Sequence, residues 1–493
     1  FGRPIGQFQA IKHKCAEMIA DTERATAAVW DAARALDEAA QNNWDIVASG
    51  VEFAAAVAAT LAPAAAQRCA QDCIQVHGGI GFTWEHDTNV YYRRALMLAA
   101  CFGRSSEYPQ KVVDTATSIG MRAVNIDLDP ETEKLRAEIR AEVAALKAMD
   151  REPRKVAIAE GGWVLPYLPK PWGRAASPVE QIIIAQEFTT GRVNRPQVGI
   201  AAWIIPSIVA FGTEEQKQRL LPPTFRGDIF WCQLFSEPGA GSDLAGLTTK
   251  ATRADGGWRI TGQKIWTTYA QYSQWGALLA RTDPSAPKHN GITYFLLDMK
   301  SEGITVKPLR ELTGQEFFNT VYIDDVFVPD ECVLGEVNRG WEVSRNTLTA
   351  ERVSIGSSDS NFLATLPEFV EFVRDGQFDQ VAQHRAGQLI AEGHADKVLN
   401  LRSTLLTLAG GSADRAMPSA AISKLLSMRT GQGYAEFAVS SFGTDAAIGD
   451  TNELAGKWGE HLLASRATTI YGGTSEVQLN IIAERLLGLP RDP

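Results

Sequence analysis

Residues 231–251 read WCQLFSEPGAGSDLAGLTTKA. A strand-like run ends at Phe235 and gives way to Glu237-Pro238-Gly239-Ala240-Gly241-Ser242-Asp243. So many small residues in one turn let main-chain N–H groups come close to an anionic or heteroaromatic ligand. A Gly-x-Gly standing alone is usually no more than a tight turn. Here a second stretch follows, GQKIWTTYA at residues 262–270, in which Trp266 offers a stacking face and Thr268 a hydroxyl. Trp266 by itself reads as core. Both stretches together read as the contacts of a flat bound group.

Outward from this point the texture is uneven. Between Trp231 and about Leu334 the chain is a series of short runs rich in β-branched and aromatic residues, such as GITYFLLDM and NTVYIDDVFVP, bounded by Gly, Asp and Pro turns. Residues 130–230 read as helices broken by the loop GGWVLPYLPKPWGRAASP, and from Gly340-Trp341 onward the pattern is helical again. Residues 7–61 carry long amphipathic periodicity, and a further Ala-rich helix runs over 62–76 to Gly78-Gly79. The segment from Pro109 to about 129 reads as a connector. Helix, strand and helix blocks from 130 onward form one unit, and residues 1–108 resemble the final part of another such unit. The pattern is a duplication whose front is missing, and the chain reads as a piece of something longer.

Bulk properties narrow the class. A length of 493 residues allows several domains, and a formal charge of −10 argues against a nucleic-acid surface. No apolar run approaches the roughly 20 residues needed for a membrane span. The six cysteines form no disulfide framework. Cys69 and Cys73 stand four apart on one helical face without a second ligand pair, so they read as buried structural thiols, and neither a metal site nor an oxidising compartment is expected. The expected setting is cytoplasmic.

The pairing EPGAGSD…GQKIWTT, followed by RTDP…GITYFLLDM and GW…AERVSIGS, closely resembles the acyl-CoA dehydrogenase flavoprotein family. The resemblance covers residues 121–493 as a nearly whole subunit and 1–108 as the C-terminal helical domain of a second one. It implies a mostly α fold with a central β domain. Its parts are an N-terminal helical domain (130–230), a middle β-barrel or sheet domain (231–335) and a C-terminal four-helix bundle (336–493). These are preceded by an extra C-terminal bundle (1–108) and a linker (109–129). It also implies FAD, with Gln233, Phe235, Ser236, Gly241 and Ser242 lining the flavin and its phosphate arm. Trp266 packs on the ring in that family and Thr268 hydrogen-bonds near N5; Ser242 is shared with the substrate.

The implied reaction is α,β-dehydrogenation of an acyl-CoA thioester to the trans-2-enoyl-CoA. A carboxylate removes the α-proton as hydride leaves the β-carbon. Several family members carry that carboxylate after the Tyr of a Tyr-Glu-Gly-Thr loop. This chain has IYGGTSE at residues 470–476, with Gly472 in that place. A second subset puts the base before an Arg on a C-terminal-domain helix, and NTLTAERVSIGS matches it with Glu351-Arg352. An isolated helical Glu is most often solvated or salt-bridged. With the flavin motifs present and Gly472 empty of a carboxylate, Glu351 is expected to be the base, Arg352 to help hold the thioester, and the Gly472 N–H to polarise its carbonyl. Thr474 and Glu476 match residues that meet the adenosine end of FAD.

In that family's dimers the neighbouring subunit holds the ADP half of FAD. Phe1-Gly2 with Gln9, and Gln75 with Gly78-Gly79, match the segments it supplies. The second copy departs from this pattern, with Asp379 for Gly, Ala386 for Gln and SSFGTDAAIGD for the Gly-Gly loop, whereas the first copy has ACFGRSSE where the adenosine loop belongs. The expectation is therefore one FAD per chain. The chain looks like a fusion of the heteromeric actinobacterial dehydrogenases that act on steroid side-chain CoA thioesters. The implied partners are an acyl-CoA, an electron-transferring flavoprotein and a second fused chain. Two alternatives stay open, an acyl-CoA oxidase using dioxygen and a non-catalytic flavoprotein scaffold.

Overall fold

The structure is a computed structural model that describes residues 1–493 except 48–49, 103–106, 124–127, 129, 358–361, 409–415, 448–451 and 492–493. The side chains of 352–357, 407–408, 416–418 and 447 also lie outside the description. Contacts divide the chain into two compact units, Asp127–Ser354 and Phe1–Ile126 with Ile355–Pro493.

In chain order the first helices are α1 (Gln9–Gln41), α2 (Val51–His77), α3 (Thr88–Cys101) and α4 (Glu107–Ser118). The mixed unit follows, with α5 (Glu133–Ala148), α6 (Arg151–Glu160), α7 (Pro178–Gly191), α8 (Ala201–Phe211) and α9 (Glu214–Phe225). Its strands are β1 (Trp231–Leu234), β2 (Lys250–Ala254), β3 (Gly257–Lys264), β4 (Trp275–Arg281), β5 (Ile292–Asp298), β6 (Ile304–Pro308), β7 (Asn319–Pro329) and β8 (Val333–Leu334). After α10 (Gly340–Ser357) come α11 (Leu366–Asp375), α12 (Gln380–Leu408), α13 (Ala416–Ser441), α14 (Glu453–Thr468) and α15 (Ser475–Ile481). No described helix is long and apolar enough to cross a membrane.

In the mixed unit the strands run β6-β7-β3-β2-β4-β5-β8, with β1 lying parallel to β4. β3 and β7 bury one face for the most part, whereas β4 and β5 are buried almost throughout. Ile260, Val321, Ile323, Val326, Leu278, Phe295 and Leu297 are buried with Ile204, Ile205 and Ile208 of α8. Helix starts are capped locally: Thr213 and Gln216 form a reciprocal capping box on α9, and Ser177 with Pro178 opens α7. Strand domain and N-terminal helices thus share one core, together with the start of α10, although the sequence separates them into three domains.

The other unit also merges what the sequence separates. First-copy residues Phe53, Ala56 and Val57 are buried in the same core as second-copy Phe369, Leu389 and Ile390, and Ala16, Ala20 and Ala27 in the same core as Val398, Ile422 and Leu425. Polar links cross between the copies as well. Arg24 donates to both carboxylate oxygens of Asp396 at 2.8 and 2.9 Å, and His394 Nε2 lies 2.9 Å from Asp31 Oδ2.

The expected linker at 109–129 is a correction. Its first part, residues 109–118, belongs to α4, whose Val112, Val113 and Ala116 are buried in the bundle's core. Pro109 reads as a breaker, but it falls in the first turn, where a missing N–H leaves no intrahelical bond unmade. Arg122 is bonded too, to Asp31 at 3.1 Å and by two bonds to Glu38 at 2.7 and 2.6 Å. Cys69 and Cys73 also differ from expectation, since both are only half-buried; Cys69 Sγ donates to the Met18 carbonyl at 3.4 Å, which joins α2 to α1.

Candidate active site

In the mixed unit the flavin-type loop is closed by its own backbone and clasped from beneath. Glu237 N donates to Ala240 O and Ala240 N to Glu237 O, both at 3.0 Å, so residues 237–240 form a tight turn. The Glu237 side chain points inward and accepts from Thr248 N (2.7 Å), Thr248 Oγ1 (2.7 Å), Thr249 N (2.9 Å) and Lys264 Nζ (2.8 Å). Lys264 is fully buried and also donates to Phe235 O at 3.0 Å, joining the end of β3 to the entry of the loop. Burial alone would raise the Glu237 carboxyl, but the Lys264 charge and the donors around it push it down to about 2. Burial pushes Lys264 down to about 8 against the pull of that carboxylate. Both directions fit an ion pair at neutral pH that is held by geometry as well as charge.

The outer side of this loop is bare. A Cβ on Gly239 or Gly241 would meet nothing within 4 Å, and Ser242 is exposed. Beside it, Trp266 adopts φ +61 and leaves 59% of its surface exposed. A left-handed conformation in a bulky residue costs of order 1–3 kcal/mol and persists only when its surroundings over-determine it. They do so here. Ile265 N donates to Ser236 O (2.9 Å), Thr267 N to Asn319 O (3.0 Å), Asn319 Nδ2 to Thr267 O (3.0 Å) and Tyr269 N to Phe317 O (2.9 Å). The indole is thereby turned outward, edge-on to Phe318 at 6.3 Å. Thr268 is half-buried, and the neighbouring Thr267 Oγ1 is buried without a partner. Phe235 is a correction at the level of the side chain: its ring is 2% exposed and packs edge-on against Tyr294 at 5.8 Å, so only its main chain is left for a ligand.

Glu351 lies in the same unit. On α10 the buried positions Val343, Ser344, Thr347 and Glu351 fall on one stripe. Thr347 Oγ1 lies 2.7 Å from Ser207 Oγ and 3.3 Å from Tyr294 Oη, which anchors the helix to α8 and β5 one turn before Glu351. Glu351 is 8% exposed and accepts from Gln233 Nε2 of β1 at 3.2 Å. Gln233 is three residues from Ser236, which in turn bonds Ile265 next to Trp266. The carboxylate, the loop and the indole therefore belong to one bonded framework. Arg352 follows on α10, but its side chain lies outside the described residues.

The remaining predicted residues stand in the helical unit. Lys14 donates to Asp72 at 2.7 Å and Arg68 to Asp21 at 2.8 Å, an antiparallel register that puts Gln9 and Gln75 at one end of the α1–α2 pair. Phe1, Gln9, Gln75, Gly78 and Gly79 are all exposed. His13 Nε2 lies 3.1 Å from Asn480 Oδ1, which brings the start of α1 to α15, the helix that Thr474 caps and that carries Glu476 in its first turn. Gly472 (φ +62) and Gly473 (φ +90) need the left-handed freedom of glycine, and their carbonyls accept from Gln478 Nε2 at 3.1 Å. Lys424 Nζ donates to Gly473 O at 2.6 Å and also to Tyr471 O, so the loop is rigid. Neither Lys264 nor Asn319 nor Lys424 stood out in the sequence. Only the fixed place of Lys264 just before Ile265-Trp266 gave any signal.

A flat heteroaromatic group with an anionic arm fits this loop, given an open glycine turn, an outward indole and the buried unpartnered Gln233 Oε1 and Thr267 Oγ1.

Three family models match the chain: the acyl-CoA dehydrogenase N-terminal domain over 131–228, the middle domain over 232–326 and the C-terminal domain over both 1–108 and 338–487. Acyl-CoA dehydrogenase FadE34 of Mycobacterium tuberculosis is 46% identical over 494 residues, covering 100% of this chain and 66% of FadE34. The chain thus spans just under two thirds of that relative. FadE26 of the same organism is 30% identical over 75% of this chain and 99% of its own. Among solved structures, the Tcur3481-Tcur3483 steroid ACAD is similar with a TM-score of 0.60 and 26% identity, over 75% of this chain and 100% of its own. The ChsE4-ChsE5 complex from Mycobacterium tuberculosis is similar with a TM-score of 0.59 and 28% identity, over the same shares. The chain belongs to the acyl-CoA dehydrogenase family, and its cofactor is FAD.

Proposed function

We propose that this chain carries the catalytic half of an acyl-CoA dehydrogenase, with Glu351 as the base that removes the α-proton of an acyl-CoA thioester. The observation that carries the reading is Glu351 itself, a carboxylate 8% exposed on a helix pinned through Thr347 and tied by Gln233 to the strand that leads into the flavin loop. A carboxylate withdrawn from water has no hydration shell to shed before it takes a proton, and fixed geometry spares the reorientation. Bound FAD supplies the acceptor for the hydride that leaves the β-carbon. The two C–H bonds broken leave a trans α,β double bond, and the proton stays on Glu351.

The protein's other groups bind and orient. Gly239, Gly241 and Ser242 offer main-chain N–H groups and a hydroxyl to the phosphate arm, Trp266 a face for the ring, and Thr268 a hydroxyl beside it. Lys264 and Glu237 hold the loop in shape. In the helical unit, Gln9, Gln75 and Gly78-Gly79 with Thr474 and Glu476 serve the adenosine end of the cofactor. The 26% likeness to a structure described as a steroid ACAD supports a steroid side-chain acyl-CoA as substrate. An electron-transferring flavoprotein rather than dioxygen is the acceptor in this reading.

Glu351→Gln tests it. The variant should keep its flavin absorbance and lose dehydrogenation of acyl-CoA thioesters by at least about 1000-fold with an artificial acceptor. Unchanged turnover at full flavin content would remove Glu351 from the mechanism.

A further inference from the structure

Gln233 sits on β1 with its backbone paired to Ala277 of β4, and its side chain reaches α10. Its two amide atoms have different circumstances. Nε2 donates to Glu351 Oε2 at 3.2 Å, whereas Oε1 is buried and has no partner. Turning the amide over would bring its oxygen against a carboxylate oxygen, two acceptors without a proton between them, so Glu351 itself dictates the orientation. A buried acceptor left unpaired costs free energy, and such atoms persist where a ligand completes them.

Resting on the assignment of Glu351 as base, we infer that Gln233 is the positioning residue for that base: it holds one carboxylate oxygen through Nε2 and presents Oε1 to an N–H or O–H donor of the bound ligand. The division is chemical. A carboxylate with one oxygen held by a strand-borne donor has its other oxygen aimed by the same bond, so the proton-accepting direction is set by β1 as well as by the α10 rotamer. A donor arriving on Oε1 fixes the amide at both ends, which couples occupancy of the site to the alignment of the base. The N–H of a flavin ring, the flat group that this site fits, is a donor of the required kind.

The test is Gln233→Leu in the full chain, assayed beside Glu351→Gln. Loss of the held oxygen should lower kcat by about 10–100-fold while KM stays within about threefold. The primary isotope effect with an α-deuterated acyl-CoA should also rise, because proton removal becomes slower relative to the other steps. Weaker flavin retention is expected of either role, because Oε1 meets the flavin, so kcat and the isotope effect are read per bound flavin: a merely structural role would leave that isotope effect unmoved. Should the leucine variant come without flavin, Gln233→Met, closer in length, is judged by the same two readouts. A kcat within about twofold of the parent, or an unchanged isotope effect, overturns the inference. If Glu351→Gln remains active, the base assignment has failed; if it is dead while Gln233→Leu is normal, only the role of Gln233 has failed.

Discussion

The two copies of the C-terminal domain start from equivalent helices and end differently. Gln9 near the start of α1 is exposed, whereas Ala386, its counterpart near the start of α12, is fully buried. The next residue explains the change. A Cβ on Gly387 would run into the carbonyl of Pro109, because α4 lies directly on this part of α12. At the same end of the α1–α2 pair, just past α2, a Cβ on Gly79 would meet nothing within 4 Å. At the position of Gln9 and Ala386, one copy keeps a polar residue in the open, and the other has turned it into a helix–helix contact. A duplicated domain relieved of a ligand tends to be drawn into packing, since a buried apolar contact adds stability and an idle polar cleft adds none.

The largest expected effect lies where the copies are bonded. Asp31→Ala leaves His394 and one side of Arg122 without the buried carboxylate, and should lower stability by about 3–5 kcal/mol by denaturant titration. A change below about 1 kcal/mol would mean that the buried Asp31 links add little to the junction of the copies.

Next comes the pair Gly387→Ala and Gly79→Ala. The first should cost about 2 kcal/mol through overpacking against Pro109. The second should leave stability within about 0.5 kcal/mol and weaken flavin retention through gel filtration. Equal stability losses would erase the distinction between a packed copy and an open one.

The mixed unit extends the comparison to a region present once. The Glu237 carboxyl is held down at about 2, against an ordinary 4.5. A lowered carboxyl contributes stability that is present above 4.5 and lost as pH falls toward 2. The gap in stability between the parent and Glu237→Gln should therefore be full at neutral pH, of order 2 kcal/mol, and should narrow across that acid window in melting experiments. A gap independent of pH would show that the clasp acts through hydrogen bonds alone.

Much of this was legible in the residues. The β block was read from Trp231 to about Leu334, and the strands run between those residues, because β-branched runs and Gly/Asp/Pro turns act locally. The resemblance to the family was readable in EPGAGSD and GQKIWTT, and the family's middle-domain model matches over these residues. What was not readable depends on distant partners. Helix α4 reads locally as a connector because Pro109 and the threonines weaken its signal, and its stripe of Val112, Val113 and Ala116 has meaning only against α2, α11 and α12. Asn319 holds Thr267 from 52 positions away, and no local pattern announces that. Nor does spacing foretell that Gln233 reaches Glu351, 118 residues on.

The left-handed turn at Trp266 has a thermodynamic reach beyond shape. Its cost is met during folding by bonds from Ile265, Thr267 and Tyr269, so it is charged to the stability of the apoprotein and not to the affinity for a ring. A ring stacked on this indole, as proposed above, would find it already aimed and would have no backbone rearrangement to drive.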